Sequence, residues 1–358
     1  MFCRFNFGDC MTEKILAMKS SWEKIKESGL PVVVYGMGNG ADKVLDEFER
    51  LEIPVLGVTA SDDFVRGQMF RGFKVKRLSE FEGDFIVAIA FATCIPEVMN
   101  RIYSLSDSYR IIVPCVPVFG NENFNREFVV KNKSLIDAAY SLFDDESKKV
   151  YEGCVTFMFG GDLEVLKEIT TDKDEAFGNI LKLSEKESFL DLGAYRGDTV
   201  EEFLFYAGGK YERIIALEPD RRSFKKLSLY IENMENVTAL QKAVSDTDGM
   251  ASFNSAAGRQ SSFSDKGETI ETITVDTLCR DINISYIKMD VEGAENEALS
   301  GAATTLSKLK PKLNIALYHR SEDIFSLPLK IHSLNPCYHF CLRRHPYIPC
   351  WDMNLYCV

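Results

Sequence analysis

The segment Phe189–Thr199, with the sequence FLDLGAYRGDT, constrains the fold more than any other part of the chain. Its apolar run contains an acid at Asp191, glycines follow at Gly193 and Gly197, and a helical pattern begins at Asp198. This order predicts a buried strand, a tight turn with close backbone approach, and a helix. Since the carboxyl ends of parallel strands form a ligand crevice, we expect a binding site at this turn.

Two acids follow the next predicted strand, Arg213–Leu217, in the tripeptide Glu218-Pro219-Asp220. Their carboxylates are placed to accept hydrogen bonds from two ribose hydroxyls. A dinucleotide would bring its pyrophosphate to the glycine turn, where Asp191 would repel it, and the glycines do not match G-x-G-x-x-G. S-adenosylmethionine has no phosphate and carries a cationic amino group and a sulfonium, so the acids favour this methyl donor over a nicotinamide dinucleotide. The alternative, two solvated strand ends, does not explain why both acids fall in register.

Two further motifs follow the third and fourth predicted strands of this series. Ala243–Asp246 (AVSD) comes after Val237–Leu240, where its small apolar groups could cover an adenine; ordinary turn chemistry fits this short motif equally well. Ile287–Glu295 (IKMDVEGAE) closes the fourth strand. Asp290 and Glu292 are two residues apart on an extended chain and so point to the same side. This strand end is too charged for an ordinary core strand.

Together, the motifs FLDLGAYRGDT, ALEPD, KAVSD and IKMDVEGAE resemble the FkbM-type methyltransferases, and the resemblance runs from about Ala176 to Val358. That family mostly methylates hydroxyl groups of sugars and polyketide-like natural products. The resemblance implies an α/β fold with a class I methyltransferase-type, Rossmann-like sheet that is mostly parallel. The predicted strand pair at Tyr338–Leu342 and Asn354–Val358 indicates that the last strand is antiparallel.

The resemblance also implies a set of site residues. The expected donor-binding residues are Asp191, Gly193, Gly197, Asp198, Thr199, Glu218, Pro219, Asp220, Ala243 and Val244. A sugar hydroxyl is a poor nucleophile until it loses its proton, so its methylation needs a base or a divalent cation. The expected catalytic residues are Asp290, Glu292 and His319, and no set of metal ligands is predicted. The alternative is that the two carboxylates cap the next helix and the histidine packs at the sheet edge.

The predicted activity is therefore methyl transfer from S-adenosylmethionine to a hydroxyl oxygen of a sugar or glycan precursor, with a divalent cation as an optional cofactor. Two other functions stay open. One is methylation of a non-sugar natural product or a carboxylate, and the other is a non-catalytic binding module that retains the fold. A fold does not fix a function, so these alternatives are separated only at the site.

The first part of the chain predicts a smaller parallel α/β domain. The β-branched run Leu30–Tyr35 leads into a glycine turn, Gly36-Met-Gly38-Asn-Gly40, and then an amphipathic helix. A phosphate of a nucleotide or nucleotide sugar could sit at this helix N-terminus, although close strand–helix packing also explains the glycines. We predict a Rossmann-like domain with a leading helix at 1–120, a helical connector at 121–186 and the methyltransferase domain at 187–358.

Composition excludes several classes of partner. The net charge of −12 over 358 residues provides no electrostatic footprint for nucleic acid or an anionic membrane. No apolar run approaches the roughly 18 residues of a spanning helix, and the N-terminus lacks a secretory signal. The ten cysteines are irregularly spaced, which indicates reduced thiols in the cytoplasm.

Two other segments invite a functional interpretation. Cys337, His339 and Cys341 alternate on one predicted strand face, but the spacing does not match paired C-x₂-C zinc ligands, so a buried strand with small thiols is preferred. Arg259–Phe263 lies in an insertion after the third strand and could form a loop that holds the acceptor. A surface hairpin without function explains that insertion equally well.

Overall fold

The structure is a computed structural model that describes residues 11–254, 262–263 and 268–358. It divides into two compact units. The first unit comprises the chain up to Ser141 together with 148–170 and 344–352, and the second comprises 142–147, 171–343 and 353–358. Each unit is therefore built from more than one stretch of sequence.

The elements up to residue 170 form a small α/β arrangement. They are, in chain order, α1 (Met11–Leu16), α2 (Ser21–Ser28), β1 (Val32–Tyr35), α3 (Asn39–Arg50), β2 (Val55–Thr59), β3 (Met69–Phe70), β4 (Phe73–Lys74), β5 (Ile86–Ile89), α4 (Pro96–Leu105), β6 (Arg110–Ile112), α5 (Arg126–Tyr140), α6 (Asp145–Gly160) and α7 (Leu163–Glu168). Four of the strands make a parallel sheet of order β2-β1-β5-β6. The β-branched residues of β1 are fully buried, as expected for a parallel strand covered on both faces.

The elements from residue 171 onwards form the larger arrangement. They are α8 (Lys173–Glu175), β7 (Ser188–Leu192), α9 (Asp198–Tyr206), β8 (Arg213–Leu217), α10 (Arg221–Ile231), β9 (Val237–Leu240), β10 (Ala243–Val244), β11 (Gly249–Asn254), β12 (Ser262–Phe263), β13 (Glu268–Ile273), α11 (Val275–Leu278), β14 (Tyr286–Met289), α12 (Glu295–Ser300), α13 (Ala303–Lys308), β15 (Lys312–Ala316), α14 (Asp323–Leu334), β16 (Phe340–Arg344) and β17 (Met353–Cys357). A π-helical turn, Ala176–Leu181, follows α8 directly.

A seven-stranded sheet of order β16-β17-β15-β14-β7-β8-β9 organises this part of the chain. The strands from β15 to β9 pair in parallel, and β17 is antiparallel to β15. This arrangement confirms the predicted fold class, a mostly parallel sheet whose last strand runs the other way. A second sheet of order β10-β13-β11-β12, which the sequence pattern did not predict, contains Ala243 and Val244.

The strand order brings four chemistry-bearing strand ends to one edge of the large sheet. β15, β14, β7 and β8 are consecutive neighbours, and all run in parallel. Asp191 lies opposite Lys288 in the β7–β14 pair and opposite Ala216 in the β7–β8 pair. The segments that leave these strands therefore lie at one edge of the sheet, which is where parallel α/β sheets bind their ligands.

The turn after β7 approaches the end of β14 at backbone distance. Gly193 has a φ of +85°, and a Cβ atom built on it would lie 1.9 Å from the carbonyl oxygen of Asp290. Its N–H donates to the Leu217 carbonyl at 3.1 Å, while the Asp290 N–H donates to the Leu192 carbonyl at 3.0 Å. Glycine is required here both for its left-handed conformation and for the missing side chain.

Replacing Gly193 by alanine should therefore destabilise the protein strongly. The new methyl group must displace the backbone after β14, and the backbone strain adds to that clash, so we expect a loss of about 3 kcal/mol or more. The loss of unfolding free energy is measured from the shift in the urea concentration at the midpoint of unfolding between wild type and variant. Gly208→Ala is the matched control: Gly208 has a φ of +64°, and nothing lies within 4 Å of its added Cβ. It should lose only about 1 kcal/mol, and equal midpoints for the two variants would contradict the packing argument.

Candidate functional site

Asp191 is a fully buried acid with one carboxylate oxygen left over. Its Oδ2 accepts a hydrogen bond from the Thr199 hydroxyl in the first turn of α9. Among the described residues Oδ1 has no hydrogen-bond partner, and the Lys288 ammonium lies 3.7 Å from it. Burial raises the pKa of Asp191 to about 6, against the opposing effects of Lys288 and Thr199. A buried hydrogen-bond acceptor without a partner is energetically costly. The position of Oδ1 therefore suits a ligand that donates a hydrogen bond to it.

Glu218 follows β8 and is fixed by two backbone groups. Its Oε2 accepts from the Tyr195 N–H and its Oε1 from the Asp220 N–H, both at 2.8 Å. Burial raises the pKa of Glu218 to about 7, although these two hydrogen bonds lower it. Since each carboxylate oxygen can accept more than one hydrogen bond, the fixed carboxylate retains capacity for ligand hydroxyls.

The other expected donor-binding residues occupy different positions. Asp220 caps α10, accepting from the backbone N–H groups of Arg222 at 3.1 Å and Ser223 at 2.8 Å. Asp198 is exposed at the start of α9, and Pro219 is partly buried. Ala243 and Val244 are buried in the second sheet.

Gly197 tightens the same turn that carries Tyr195. It has a φ of +98°, and a Cβ atom built on it would lie 2.5 Å from a ring carbon of Tyr230. Its N–H donates to the carbonyl of Ala194 at 2.8 Å. The turn is thus a compact backbone surface between β7 and α9, with Asp191 on one side and Glu218 on the other.

Lys288 connects the two acidic parts of the site. Its ammonium lies 3.7 Å from Asp191 Oδ1 and 3.8 Å from Asp290 Oδ2, and it donates to the Gly193 carbonyl at 3.2 Å. Burial lowers the pKa of Lys288, but the two carboxylates outweigh burial and the pKa is raised. The lysine therefore remains charged and balances acids on both sides of the β7–β14 pair.

His319 brings the predicted catalytic residues together. The ring is buried, and its Nε2 lies 3.4 Å from Asp290 Oδ1 and 3.5 Å from Glu292 Oε2. Its Nδ1 lies 2.9 Å from Glu295 Oε1. Burial opposes protonation, but the charges of Glu295, Asp290 and Glu292 raise the pKa of His319 to about 10. The ring is therefore an imidazolium at neutral pH.

The carboxylates around this imidazolium divide into an exposed pair and a buried one. The side chains of Asp290 and Glu292 are 32% and 25% exposed, whereas Glu295 is almost completely buried. The Val291 N–H fixes Glu295 by donating to its Oε1 at 2.8 Å. The N-cap of α12 is Ala294, and no side chain caps that position. The exposed pair can thus meet an acceptor, while the buried acid holds the histidine.

Sequence reasoning missed three residues of this cluster. Glu295 lay inside a recognised motif but was given no role. The Tyr318 hydroxyl donates to both carboxylate oxygens of Asp290, at 3.1 and 3.2 Å. Asp323 is buried at the start of α14 and accepts from the Arg320 N–H at 2.8 Å, and burial with Glu295 nearby raises its pKa to about 8. Tyr318 and Asp323 lie within four residues of the predicted catalytic His319 in the sequence, and this proximity was the signal that could have identified them.

A cation is the other species that this cluster could hold. Asp290, Glu295 and His319 each offer one ligand atom, and these atoms lie within 4.8 Å of one another. Two acids and an imidazole form a donor set that divalent metals accept. When His319 is an imidazolium, its extra proton supplies positive charge at the place where a metal ion would otherwise supply it.

The glycine turn of the first unit has a structural explanation. A Cβ atom on Gly36 or Gly40 would lie 2.8 or 2.9 Å from the Ala90 carbonyl oxygen, whereas one on Gly38 would meet nothing within 4 Å. Close packing of this turn against the end of β5 therefore accounts for two of the three glycines. A nucleotide or nucleotide sugar at this turn stays a prediction.

Two further expectations concern loops and membranes. Of the segment expected to hold the acceptor, Arg259 to Ser261 lie outside the described residues, and Ser262–Phe263 forms β12. Within the described ranges, no helix combines the length and the apolar character needed to cross a bilayer.

Comparison with known proteins identifies the second part of the chain. Residues 191–336 match the sequence profile described as Methyltransferase FkbM domain. The solved structure of methyltransferase FkbM from Methylobacillus flagellatus KT aligns with a TM-score of 0.71 at 19% identity, over 98% of this chain and 94% of that chain. At this identity the alignment establishes a shared fold. The comparison with curated protein sequences gave no match.

Two other solved structures align with parts of the chain. Fibrillarin from Aeropyrum pernix, in complex with natively bound S-adenosyl-L-methionine, has a TM-score of 0.33 at 13% identity, over 49% of this chain and 69% of that chain. An rRNA methylase from Streptococcus thermophilus has a TM-score of 0.35 at 12% identity, over 52% of this chain and 92% of that chain. Residues 191–336 therefore match the FkbM methyltransferase domain, and the seven-stranded sheet that contains them has the class I methyltransferase fold.

Proposed function

We propose that this protein transfers a methyl group from S-adenosylmethionine to a hydroxyl oxygen, and that the acceptor is a sugar or glycan precursor. The observation that carries the proposal is the pair Asp290 and Glu292. These partly exposed carboxylates leave the strand next to the one that carries Asp191, and a buried imidazolium lies behind them. This arrangement supports a proton-accepting group beside the proposed site of the methyl donor.

The residues around the first crevice fit the donor. Bound S-adenosylmethionine supplies an electrophilic methyl group on a sulfonium. The carboxylate of Glu218 is fixed by two N–H groups and can accept hydrogen bonds from ribose hydroxyls. The unfilled acceptor Oδ1 of Asp191 suits a cationic ligand and disfavours a phosphate. Gly193 and Gly197 shape the turn between these two acids, because their missing side chains let the Asp290 carbonyl and the Tyr230 ring pack against it.

Asp290 is the group best placed to take the acceptor proton. The Tyr318 hydroxyl donates to both of its oxygens and fixes the orientation of the carboxylate. His319, being protonated, does not accept the proton. The chain's task is then to hold the hydroxyl in line with the methyl group and to remove its proton.

The same carboxylates support a second version of the chemistry. A divalent cation bound by Asp290 and Glu292 would lower the pKa of the acceptor hydroxyl without a protein base. The version with a carboxylate base favours a neutral polyhydroxylated acceptor, because two adjacent carboxylates accept hydrogen bonds from its hydroxyl groups. A carboxylate acceptor would meet like charge at this position. Placement of the protein in the cytoplasm stays a prediction from its cysteine pattern.

The proposal is tested by incubating the full chain with isotopically labelled S-adenosylmethionine and a panel of neutral sugars, nucleotide sugars, phenols and carboxylic acids. Mass spectrometry detects S-adenosylhomocysteine and the labelled product together. We expect an O-methylated sugar product. If only a phenol or a carboxylic acid is methylated, the proposed sugar acceptor is wrong. If the chain binds S-adenosylmethionine but methylates none of the compounds, the alternative of a non-catalytic binding module is favoured.

Glu218→Ala should weaken donor binding, because the variant loses charge-assisted hydrogen bonds to the ribose. We expect a loss of about 2–3 kcal/mol in binding free energy, measured by isothermal titration calorimetry with S-adenosylhomocysteine. Glu201→Ala is the control, since that glutamate is exposed on α9 and should leave binding unchanged. Tighter binding of NAD than of S-adenosylhomocysteine by the wild type would overturn the donor assignment.

Asp290→Asn and Glu292→Gln should slow turnover and leave folding intact. Each change retains side-chain size and removes one negative charge, and loss of a positioned base costs about 10²- to 10⁴-fold in rate. Initial rates on the acceptor found above measure the effect, and circular dichroism checks the fold. Glu297→Gln, at an exposed position of α12, is the matched control. Near wild-type rates for both amides would assign the pair a structural role.

A chelator separates the two versions of the chemistry. A wild-type rate that falls in EDTA and returns with added Mg²⁺ or Mn²⁺ means that the carboxylates hold a cation. A rate that EDTA leaves unchanged means that a carboxylate acts directly as the base.

A further inference from the structure

A second cluster of metal-ligating side chains lies at β16. The Nε2 atom of His339 lies 3.3 Å from Asp144 Oδ2, and the Cys341 thiol lies 3.7 Å from the same oxygen. One ligand atom from each of the three residues falls within 4.8 Å of the others. None of the three takes part in the methyl-transfer site proposed above.

The backbone brings these residues together for identifiable reasons. Phe143 and Phe340 form an isolated parallel bridge, which sets Asp144 beside the residues that flank Phe340. His339 and Cys341 are two residues apart on an extended segment, so their side chains point to the same side. The Ser147 N–H donates to Asp144 Oδ1 at 2.8 Å and orients the carboxylate. Its Oδ2 is the oxygen that faces the histidine and the cysteine.

We propose that Asp144, His339 and Cys341 bind a zinc ion through Oδ2, Nε2 and Sγ. Zinc takes oxygen, nitrogen and sulfur ligands in a tetrahedron, and its bond lengths set the ligand-to-ligand distances at about 3.3–3.7 Å. The two measured separations, 3.3 Å to nitrogen and 3.7 Å to sulfur, fall at the ends of that range. Hard cations such as Mg²⁺ select oxygen ligands and do not explain the thiol.

The charges around the cluster permit a cation. A zinc ion with one carboxylate, one thiolate and one neutral imidazole forms a complex without net charge. Arg343 is the neighbouring cation on the same strand face, and carboxylates already neutralise it: Glu175 at 2.8 Å and Glu146 at 3.2 Å. The guanidinium therefore adds little repulsion.

Exposure gives the ion a route and a fourth ligand position. Cys341 is buried, while the side chain of His339 is 60% exposed and that of Asp144 is 33% exposed. An ion can thus arrive from solvent at the histidine side, where a water molecule completes the tetrahedron. Zinc replaces the thiol proton, which goes to solvent, so binding tightens as pH rises.

The test uses Co²⁺ as a spectroscopic probe on the untagged, reduced full chain. A Co²⁺–thiolate bond gives an intense near-ultraviolet charge-transfer band, so the band reports a cysteine ligand and is silent for an ion held only by oxygen and nitrogen at Asp290. We expect a saturable band that equimolar Zn²⁺ abolishes, with an affinity that falls as pH is lowered. A wild-type chain that gives no saturable band overturns the proposal.

Variants assign the band to the three ligands. His339→Ala changes an exposed side chain and should fold normally, as circular dichroism will show. It should weaken binding at least about a hundredfold, since outer-shell partners alone are worth about 10- to 100-fold. Cys341→Ser should remove the band. Cys337→Ser and Asp290→Asn, outside the cluster, should retain wild-type affinity. A band that survives His339→Ala unchanged, or disappears in Cys337→Ser, overturns the assignment.

Discussion

The backbone contact between the turn after β7 and the end of β14 holds the methyltransferase site together. The missing side chain of Gly193 lets the Asp290 carbonyl approach, and the Lys288 ammonium closes the contact by reaching the Gly193 carbonyl at 3.2 Å. Asp191, proposed to bind the methyl donor, and Asp290, proposed to face the acceptor, are therefore positioned by the same few backbone atoms. A side chain at this glycine would change the distance between these two acids as well as the stability of the sheet.

Charge balance is the second constraint, because isolated buried charges cost several kcal/mol and are tolerated only when paired. Lys288 faces Asp191 and Asp290, and the His319 imidazolium faces Glu295 together with the exposed pair. Removal of either interior cation would leave its acids uncompensated, so such a change would disturb folding as well as chemistry. Asp290 and Glu292 are partly exposed, and isosteric amides there test chemistry with less structural cost.

The sequence predicts the local elements well and the non-local contacts poorly. The apolar runs at Ser188–Leu192 and Arg213–Leu217 coincide with β7 and β8, because buried parallel strands need continuous apolar residues. Nothing in the pattern distinguishes Glu218, which is fixed by two N–H groups, from Asp220, which caps α10. The second sheet was also missed: β10 and β12 have only two residues each, and β10 pairs with β13, a strand distant from it in sequence. The burial of Glu295 depends on packing among distant segments, which spacing alone does not encode.

The protonation of His319 is the feature with the largest consequence for mechanism. A solvated histidine is mostly neutral at pH 7 and would be a reasonable base. Here Glu295 holds Nδ1 and two further acids face Nε2, so the ring carries its proton well above neutral pH. A divalent ion that used Nε2 as a ligand would have to displace that proton, and its affinity would rise steeply with pH. An ion bound by the carboxylates alone would instead meet a positive ring at close range. Both costs favour a carboxylate base over a bound cation at this strand end.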